Sequence, residues 1–200
     1  MPRGTEQARL ERRRQLVAEA RLVFADKGYH RASINDIIKA CDIARGTFYN
    51  YFDSKREIFD AILGELFELL WSVIKPIDIN ADIPQQIAGN LQGLMTVLEE
   101  NPDLVRILFS GALGLDPQAD NSLADFFTKS RVRLARALAW GQELGIVADG
   151  NPQVLAVAII GIIREYWFHR ALGVELMSPE EFLAESYTML REGVFRLKSP

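Results

Sequence analysis

The chain has 200 residues, of which 48% are hydrophobic and 25% are charged. These proportions are typical of a soluble globular protein and exclude a disordered tail, a collagen-like fibre and a disulfide-stapled mini-protein. The longest apolar run, residues 154–163, is far shorter than the roughly 20 residues of a membrane-spanning helix, and the single Cys41 has no partner for an internal disulfide. With no secretory signal apparent, we expect a soluble protein of the cytoplasm.

Charge is distributed unevenly along the chain. Residues 1–60 contain 12 basic and 9 acidic side chains, whereas residues 61–200 contain 11 basic and 18 acidic ones. A basic N-terminal region followed by an acidic remainder is typical of a protein that binds a polyanion with only one end.

Helical periodicity dominates the first part of the chain, because apolar residues repeat at steps of three and four. Gly28 is placed to end the first helix, and Ser33 is placed to cap the second. Ser54 and Glu57 form a capping-box pattern that opens a long helix, which Pro76 must end. Four helices are therefore predicted, over about 6–27, 34–41, 45–52 and 54–75.

The remainder of the chain repeats the helical pattern. Asn101-Pro102, Asn151-Pro152 and Ser178-Pro179 each combine a capping residue with proline at the first helical position. With the apolar spacing, they predict five further helices, over about 84–100, 103–113, 119–145, 152–173 and 179–197. The predicted fold class is all-α, with about nine helices.

Residues 33–52 have the size of a helix-turn-helix unit, with Cys41-Asp42-Ile43 as the turn. At about 100° per residue, Ala44, Phe48 and Phe52 share an inner face of the second helix, while polar side chains face outward. The outward groups are a guanidinium, an amide, a hydroxyl and a phenol, which can read base edges or bind phosphates. On spacing alone, the solvated face of a small helical hairpin explains the pattern equally well.

Three segments make the N-terminal region recognisable: FADKGY at 24–29, ASINDI at 32–37 and ARGTFYNYFDSK at 44–55. In this order they resemble the TetR family of bacterial transcription regulators. The resemblance implies a three-helix helix-turn-helix DNA-binding domain at 1–56 and a larger helical effector-binding and dimerisation domain at 57–200. The family often has a small residue followed by glycine at the turn, where this chain has Cys41-Asp42. Aspartate tolerates left-handed backbone angles, so we expect the turn to survive.

The function implied by the resemblance is that of a sequence-specific DNA-binding transcription regulator, and repression is the family's usual mode. We expect a homodimer on a palindromic operator in double-stranded DNA, because one recognition helix reads too few base pairs. The positions that match the family's DNA-contacting residues are Ser33, Arg45, Gly46, Thr47, Tyr49, Asn50, Tyr51 and Lys55, with Tyr51 and Lys55 assigned to phosphates. The upstream arginines Arg3, Arg9, Arg12, Arg13 and Arg14 either contact neighbouring phosphates or a minor groove, or belong to a disordered solubilising arm.

The last two helices pair between subunits in the family's dimers. Here they give a predicted dimer interface of Leu155, Ile159, Gly161, Ile162, Tyr187, Leu190 and Val194. The family also binds a small-molecule effector in its larger domain. We expect a largely apolar effector, which releases the protein from DNA, against Trp71, Met95, Phe109, Phe127, Trp140 and Trp167, although each of these residues alone is explained more simply by the core. Arg164 pairs either with an anionic group or with a neighbouring acid.

Two other classes of protein compete with this interpretation. An enzyme is disfavoured because His30 and His169 lack a second metal ligand at a suggestive spacing, and no phosphate-binding glycine loop is present. Cys41 is followed by Asp42, whereas a nucleophilic cysteine needs a positive neighbour. We therefore predict no enzymatic activity, no cofactor and no metal site. A helical protein-interaction module without DNA or effector binding is the alternative, and it leaves the series from Arg45 to Lys55 unexplained.

Overall fold

The computed structural model describes residues 3–109 and 117–193. These ranges contain nine helices and no strand: α1 (Arg3–Arg31), α2 (Ile34–Ala40), α3 (Arg45–Tyr49), α4 (Lys55–Ser72), α5 (Ile83–Glu100), α6 (Pro102–Phe109), α7 (Pro117–Glu143), α8 (Pro152–Ala171) and α9 (Pro179–Gly193). The predicted all-α fold with about nine helices is confirmed. The predicted helical residues 110–113 and 194–197 lie outside the described residues.

The first helix is longer than its periodicity predicts. It begins at Arg3 rather than near Glu6, and it continues to Arg31 across a break at Gly28, where φ is 73° and ψ is 155°. These angles suit glycine, which has no Cβ to clash in the left-handed half of backbone space. Gly28 therefore interrupts the helix, and a single turn follows before α2.

The helix starts follow the capping residues in most cases. The Ser33 hydroxyl accepts from the Asp36 N–H at 3.2 Å, and Asn151 accepts from the Gln153 N–H at 2.9 Å. Asn101 does not cap α6 as its motif predicts, because its side chain donates to the carbonyl of Val97 at 2.8 Å. An asparagine between two helices can hydrogen-bond either a free carbonyl at the end of the first or a free N–H at the start of the next. Asn101 bonds a carbonyl at the end of α5.

The chain forms two compact units. The first contains the described residues up to Leu66 and those between Asp103 and Ala124. Its core includes Phe24, Phe48, Phe52 and Phe59, each 2% exposed or less. Because α4 contributes Ile58, Phe59, Ile62, Leu63 and Leu66 to buried positions, this unit extends beyond the 1–56 segment proposed as the DNA-binding domain.

The second unit contains Phe67–Pro102 and the described residues from Asp125 onward. One buried cluster joins α7, α8 and α9 through Ala135, Leu138, Val147, Ala156, Ile159 and Leu190. The Tyr187 hydroxyl donates to the carbonyl of Pro84 at 3.2 Å, and the rings of Tyr166 and Phe182 stack with centroids 3.9 Å apart. These contacts fix α5, α8 and α9 against one another. Within the described ranges, no helix is both long and apolar enough to cross a membrane.

Candidate nucleic-acid interface

The two helices of the candidate interface, α2 and α3, are joined by a tight turn. Asp42 has a φ of 49° in this turn, which places it in the left-handed region. Its short polar side chain tolerates that region better than most residues do. The expectation that the turn survives without a glycine is confirmed.

The α3 segment has a polar outer face, and buried aromatic rings hold its inner face against the core. Phe48 is completely buried and Phe52 is 1% exposed, so this helix is fixed to the core through the two rings. Ala44 does not join them on the inner face; it is exposed, because it is the N-cap of α3 and its backbone is extended. Among the residues of this segment that are proposed to contact DNA, Arg45, Gly46, Tyr49 and Asn50 are exposed, and Thr47 and Tyr51 are half-buried.

Arg45 and Tyr49 lie one turn apart and contact each other on this face. The Nη2 atom of Arg45 is 3.5 Å from the Tyr49 hydroxyl oxygen, and its Cζ atom is 5.7 Å from the centre of the Tyr49 ring. The Tyr49 ring in turn packs edge-to-face on Phe48, with centroids 5.5 Å apart. The guanidinium is therefore held above the surface, where its fork of donors is available to a base edge.

Gly46 has no role within its own chain that requires glycine. A Cβ built at this position meets nothing within 4 Å. The space in front of α3 is open, which is the condition for a close approach of the backbone to a DNA duplex.

Lys55 has hydrogen-bond partners within its own chain. Its Nζ atom donates to the carbonyls of Tyr29 at 2.9 Å and Ala32 at 3.2 Å, and it lies 4.1 Å from the centre of the Tyr29 ring. The ammonium group therefore donates to one carbonyl near the end of α1 and to another in the connection to α2. Because an ammonium has three donors, one remains for a phosphate. Lys55 ties α4 to the end of α1, and its assignment to phosphate binding stays a prediction.

Ser33 is also occupied within the chain. Its hydroxyl donates to the Asp36 carboxylate at 2.7 Å, and its N–H donates to the same oxygen at 2.9 Å. The Lys27 ammonium contacts the other Asp36 oxygen at 2.7 Å. Lys27, followed by the Ser33 hydroxyl and N–H, holds the pKa of Asp36 well below its ordinary value. A phosphate would have to compete with this ionised carboxylate for the Ser33 hydroxyl.

The upstream arginines lie in a helix rather than in a disordered arm. Arg3 and the residues after it belong to α1, so the disordered alternative is wrong for the described residues. Arg9, Arg12 and Arg14 are exposed, and the Arg13 guanidinium lies 4.9 Å from the centre of the Phe52 ring.

The predicted effector-binding residues are distributed over both units. Phe109 is buried in the first unit, whereas Trp71, Met95, Phe127, Trp140 and Trp167 belong to the second. Trp140 is 48% exposed and Trp167 only 3%, so Trp140 is no wall of an enclosed pocket. Met95 borders a gap of about 20 Å³ between α5, α8 and α9, which has room for about one water molecule.

Arginine side chains lie over three of these aromatic residues, and the Arg170 guanidinium is 5.7 Å from the centre of the Trp167 ring. The Arg133 guanidinium is 4.7 Å from the centre of the Trp71 ring, and that of Arg164 is 5.3 Å from the centre of the Phe127 ring. Arg164 therefore stacks on an aromatic ring, and the described residues provide no carboxylate within ion-pair distance of it.

The sequence did not predict a groove of about 500 Å³ that lies between α5 and α9. It is lined by side chains that include Ala88, Gly89, Met95, Leu183, Ala184 and Tyr187. Small residues on two helices whose apolar faces meet are the signal that indicates such a groove, but the pairing of α5 with α9 cannot be read from either helix alone.

The predicted dimer residues lie at different depths. Ile159 and Leu190 are buried within a single chain, so they build its core and have little area left for a partner; for these two the prediction is corrected. Gly161 is exposed, and Leu155, Ile162 and Tyr187 are half-buried. Val194 lies outside the described residues.

The described residues contain no group of three or more histidine, cysteine, aspartate or glutamate side chains that could hold a metal ion. Burial, followed by the charge of Glu19, raises the pKa of the Cys41 thiol. A raised pKa keeps the thiol protonated and unreactive.

The exposed polar face of α3, anchored by buried rings and preceded by a tight turn, defines a helix-turn-helix DNA-binding protein. The family described as bacterial regulatory proteins of the tetR family matches residues 16–62. The HTH-type transcriptional repressor DhaR of Mycobacterium sp. strain GP1 is 28% identical over 192 residues, which cover 94% of both chains. The HTH-type transcriptional activator FasR of Mycolicibacterium smegmatis is 28% identical over 117 residues, 58% of this chain and 53% of FasR.

A solved structure shares the fold. It is described as a TetR-family transcriptional regulator from Syntrophomonas wolfei, and it superposes with a TM-score of 0.80 at 23% identity over 95% of this chain and all of its own. Residues 16–62 thus match the DNA-binding region of the TetR family of bacterial regulatory proteins, and the chain as a whole shares the fold of a TetR-family regulator. It is a DNA-binding transcription regulator, and its relatives are regulators rather than enzymes.

Proposed function

We propose that the protein is a sequence-specific repressor that binds a palindromic operator as a homodimer and leaves it when a small, largely apolar molecule binds. The observation that carries the proposal is the outer face of α3, where Arg45, Gly46, Tyr49 and Asn50 are exposed over the buried Phe48. Thr47 and Tyr51 at its margins, with Ser33 and Lys55 beside it, complete the proposed contact surface. Because its target is DNA, we propose that it acts in the bacterial cytoplasm.

An exposed apolar stripe on α8 supports the homodimer. Val154 and Val157 are 62% and 54% exposed, and Ala158 and Gly161 continue the same face at steps of three and four. Water-exposed apolar side chains in a continuous row favour burial against a partner. A second copy of α8 covers the stripe best, because a symmetric interface places the same patch on both subunits.

The effector is proposed to act on the second unit, within the 57–200 segment. The aromatic residues Trp71, Phe127 and Trp167 and the groove beside Met95 provide apolar surface there. A ligand changes DNA affinity only by preferring one arrangement of the recognition helices. Relatives named as a repressor and as an activator both resemble this chain, and we propose repression because an occupied operator blocks transcription without any further contact.

The test is selection of bound sites from random double-stranded DNA, followed by sedimentation of the free and bound protein. The proposal expects an enriched inverted repeat and a complex of two chains per operator. Enrichment of a single half-site by one chain would contradict the dimer, and no enrichment at all would contradict sequence-specific binding. Release is then tested by adding a panel of apolar amines and carboxylates to the complex, and a panel member that lowers operator affinity supports an effector.

A further inference from the structure

The groove between α5 and α9 is large enough for a small molecule. Its volume of about 500 Å³ lies within the range of about 300–1,000 Å³ that is typical of ligand pockets. Both helices belong to the second unit, so the groove lies within that unit. Among the residues that the sequence predicts for the effector, Met95 alone lines it. The groove is therefore a candidate site that the sequence prediction did not contain.

The floor of the groove is apolar. Met95 is only 3% exposed, and it borders the groove together with Leu183. The small residues Gly89 and Ala184 keep the space above them open, and a Cβ built at Gly89 meets nothing within 4 Å. Apolar surface that water reaches favours the burial of an apolar ligand against it.

Two carboxylates lie at one end of the groove. Glu99 near the end of α5 and Glu180 in the first turn of α9 both line it, and both are exposed. Burial raises the pKa of the Tyr166 hydroxyl, Arg170 opposes the rise, and the charges of Glu99 and Glu180 add to it. Because both charges act on one hydroxyl, the two carboxylates lie at the same end. Within the described part of the chain, neither of them forms an ion pair.

The described lining of the groove contains no lysine, arginine or histidine. Its other polar side chains, Gln85, Gln92 and Tyr187, are neutral groups. The nearby Arg170 does not line the groove; its guanidinium donates to the Tyr166 hydroxyl at 3.5 Å. The groove thus combines an apolar floor with two negative charges and no positive charge of its own, which is the electrostatic complement of a cation.

We propose that this groove binds an organic ammonium ion with an apolar body, and that the effector belongs to this chemical class. The ammonium group lies between the carboxylates of Glu99 and Glu180. The apolar body follows the open space beside Gly89 and Ala184 and covers Met95. The effector role rests on the proposed function, whereas binding in the groove does not depend on DNA.

Calorimetry of the full-length chain without DNA tests the preference for a cation. The probes are octylamine, octanol and octanoate, which share one alkyl chain and differ in charge. Their extended length is about the 10 Å that separates Glu180 from Tyr187 along α9, at about 1.5 Å per residue. We expect octylamine to bind more tightly than both other probes. Equal binding of octylamine and octanol, or tighter binding of octanoate, would overturn the inference.

Removal of the two carboxylates tests where the ammonium group lies. We expect Glu99→Gln and Glu180→Gln each to weaken octylamine binding about fivefold, the upper end for exposed ion pairs. The double variant should bind octylamine no better than octanol. Glu100→Gln and Glu181→Gln are matched controls, because these exposed neighbours carry the same charge and do not line the groove. Equal losses in the controls would show a general effect of charge and would overturn the site.

A variant that fills the groove tests where the apolar body lies. The space beside Gly89 is open, and leucine is a better helix former than glycine, so Gly89→Leu should fold with unaltered or higher stability. We expect it to lose octylamine binding, while Gly89→Ala keeps it. A Gly89→Leu protein that binds octylamine like the unaltered protein would place the ligand elsewhere and overturn the inference.

Operator affinity with and without octylamine tests the effector role. We expect octylamine to weaken operator binding by the unaltered protein and to leave the double variant of Glu99 and Glu180 unaffected, which controls for direct competition between the amine and DNA. Octylamine that binds in the groove without changing operator affinity would overturn the effector role. If the unaltered protein selects no DNA, the proposed function fails, and the calorimetry still decides whether the groove binds the ammonium ion.

Discussion

The ammonium group of Lys55 at the start of α4 donates to the carbonyl of Tyr29 at 2.9 Å and lies 4.1 Å from the centre of the same residue's ring. It also donates to the carbonyl of Ala32 at 3.2 Å. One side chain thereby joins the end of α1, the connection to α2 and the start of α4. This contact adds to the packing of Phe24 and Tyr29 against Phe59, which also joins α1 to α4.

Replacing Lys55 by methionine keeps the aliphatic stem and removes these hydrogen bonds. We expect the free energy of unfolding to fall by about 1–3 kcal/mol, because hydrogen bonds from charged donors are stronger than neutral ones. Urea denaturation measures the change. A variant with unaltered stability but a shallower salt dependence of DNA binding would show that phosphate binding is the main role of Lys55 after all.

Stability at acid pH depends on Asp36. Lys27 and the two donors of Ser33 lower the pKa of Asp36 on folding. The ionised Asp36 therefore contributes its full stabilisation above the ordinary pKa of 3.8. This stabilisation is lost as the pH falls below that value. We expect Asp36→Asn to be less stable than the unaltered protein at pH 7, with the difference shrinking below about pH 4. Denaturation curves at pH 7, 5 and 3 test this. A difference that stays constant with pH would contradict the ionic origin of the effect.

Sequence preference is expected to depend on Arg45. Arg45→Ala removes the guanidinium that Tyr49 holds above α3, and we expect a loss of about 1–3 kcal/mol on the selected operator with a much smaller loss on random DNA. Competition binding with both DNAs measures the two losses. Equal losses would assign Arg45 to phosphate rather than to a base.

The backbone of the turn between α2 and α3 is strained at Asp42, and substitution at this position tests the strain. Asp42 has a φ of 49°, a region that costs residues with a Cβ about 1–2 kcal/mol. We expect Asp42→Gly to raise stability by up to about 1 kcal/mol, because relief of strain exceeds the added freedom of the unfolded chain. Asp42→Val should lower it, and thermal unfolding of the two variants distinguishes them. If glycine destabilised the protein, the aspartate side chain would have to be stabilising the turn.

Dimer formation is expected to depend on the exposed stripe of α8. Val157 is 54% exposed in the single chain, so Val157→Glu leaves the core intact and places a charge where the partner is proposed to pack. We expect monomers in sedimentation and weak operator binding, with unchanged helix content. A Val157→Glu protein that remained dimeric would place the interface elsewhere.

The sequence alone determined the helices and the face that α3 presents. Periodicity and capping residues act over three or four positions, so Ser33, Ser54 and Asn151 could be assigned as helix starts from their neighbours. Glycine and aspartate at positive φ, Gly28 and Asp42, were likewise expected from local backbone preference. Phe48 and Phe52 were correctly assigned to the core, although α3 ends at Tyr49 and Phe52 follows it.

Only the tertiary structure decided which partner each side chain meets. Lys55 turned inward because the carbonyls of Tyr29 and Ala32 lie within its reach, and these residues are more than twenty positions away. Ile159 and Leu190 became core rather than interface because α7 covers them within the same chain. Helical periodicity defines an apolar face but not the surface that covers it. That choice depends on how the helices pack, which is a property of the whole chain.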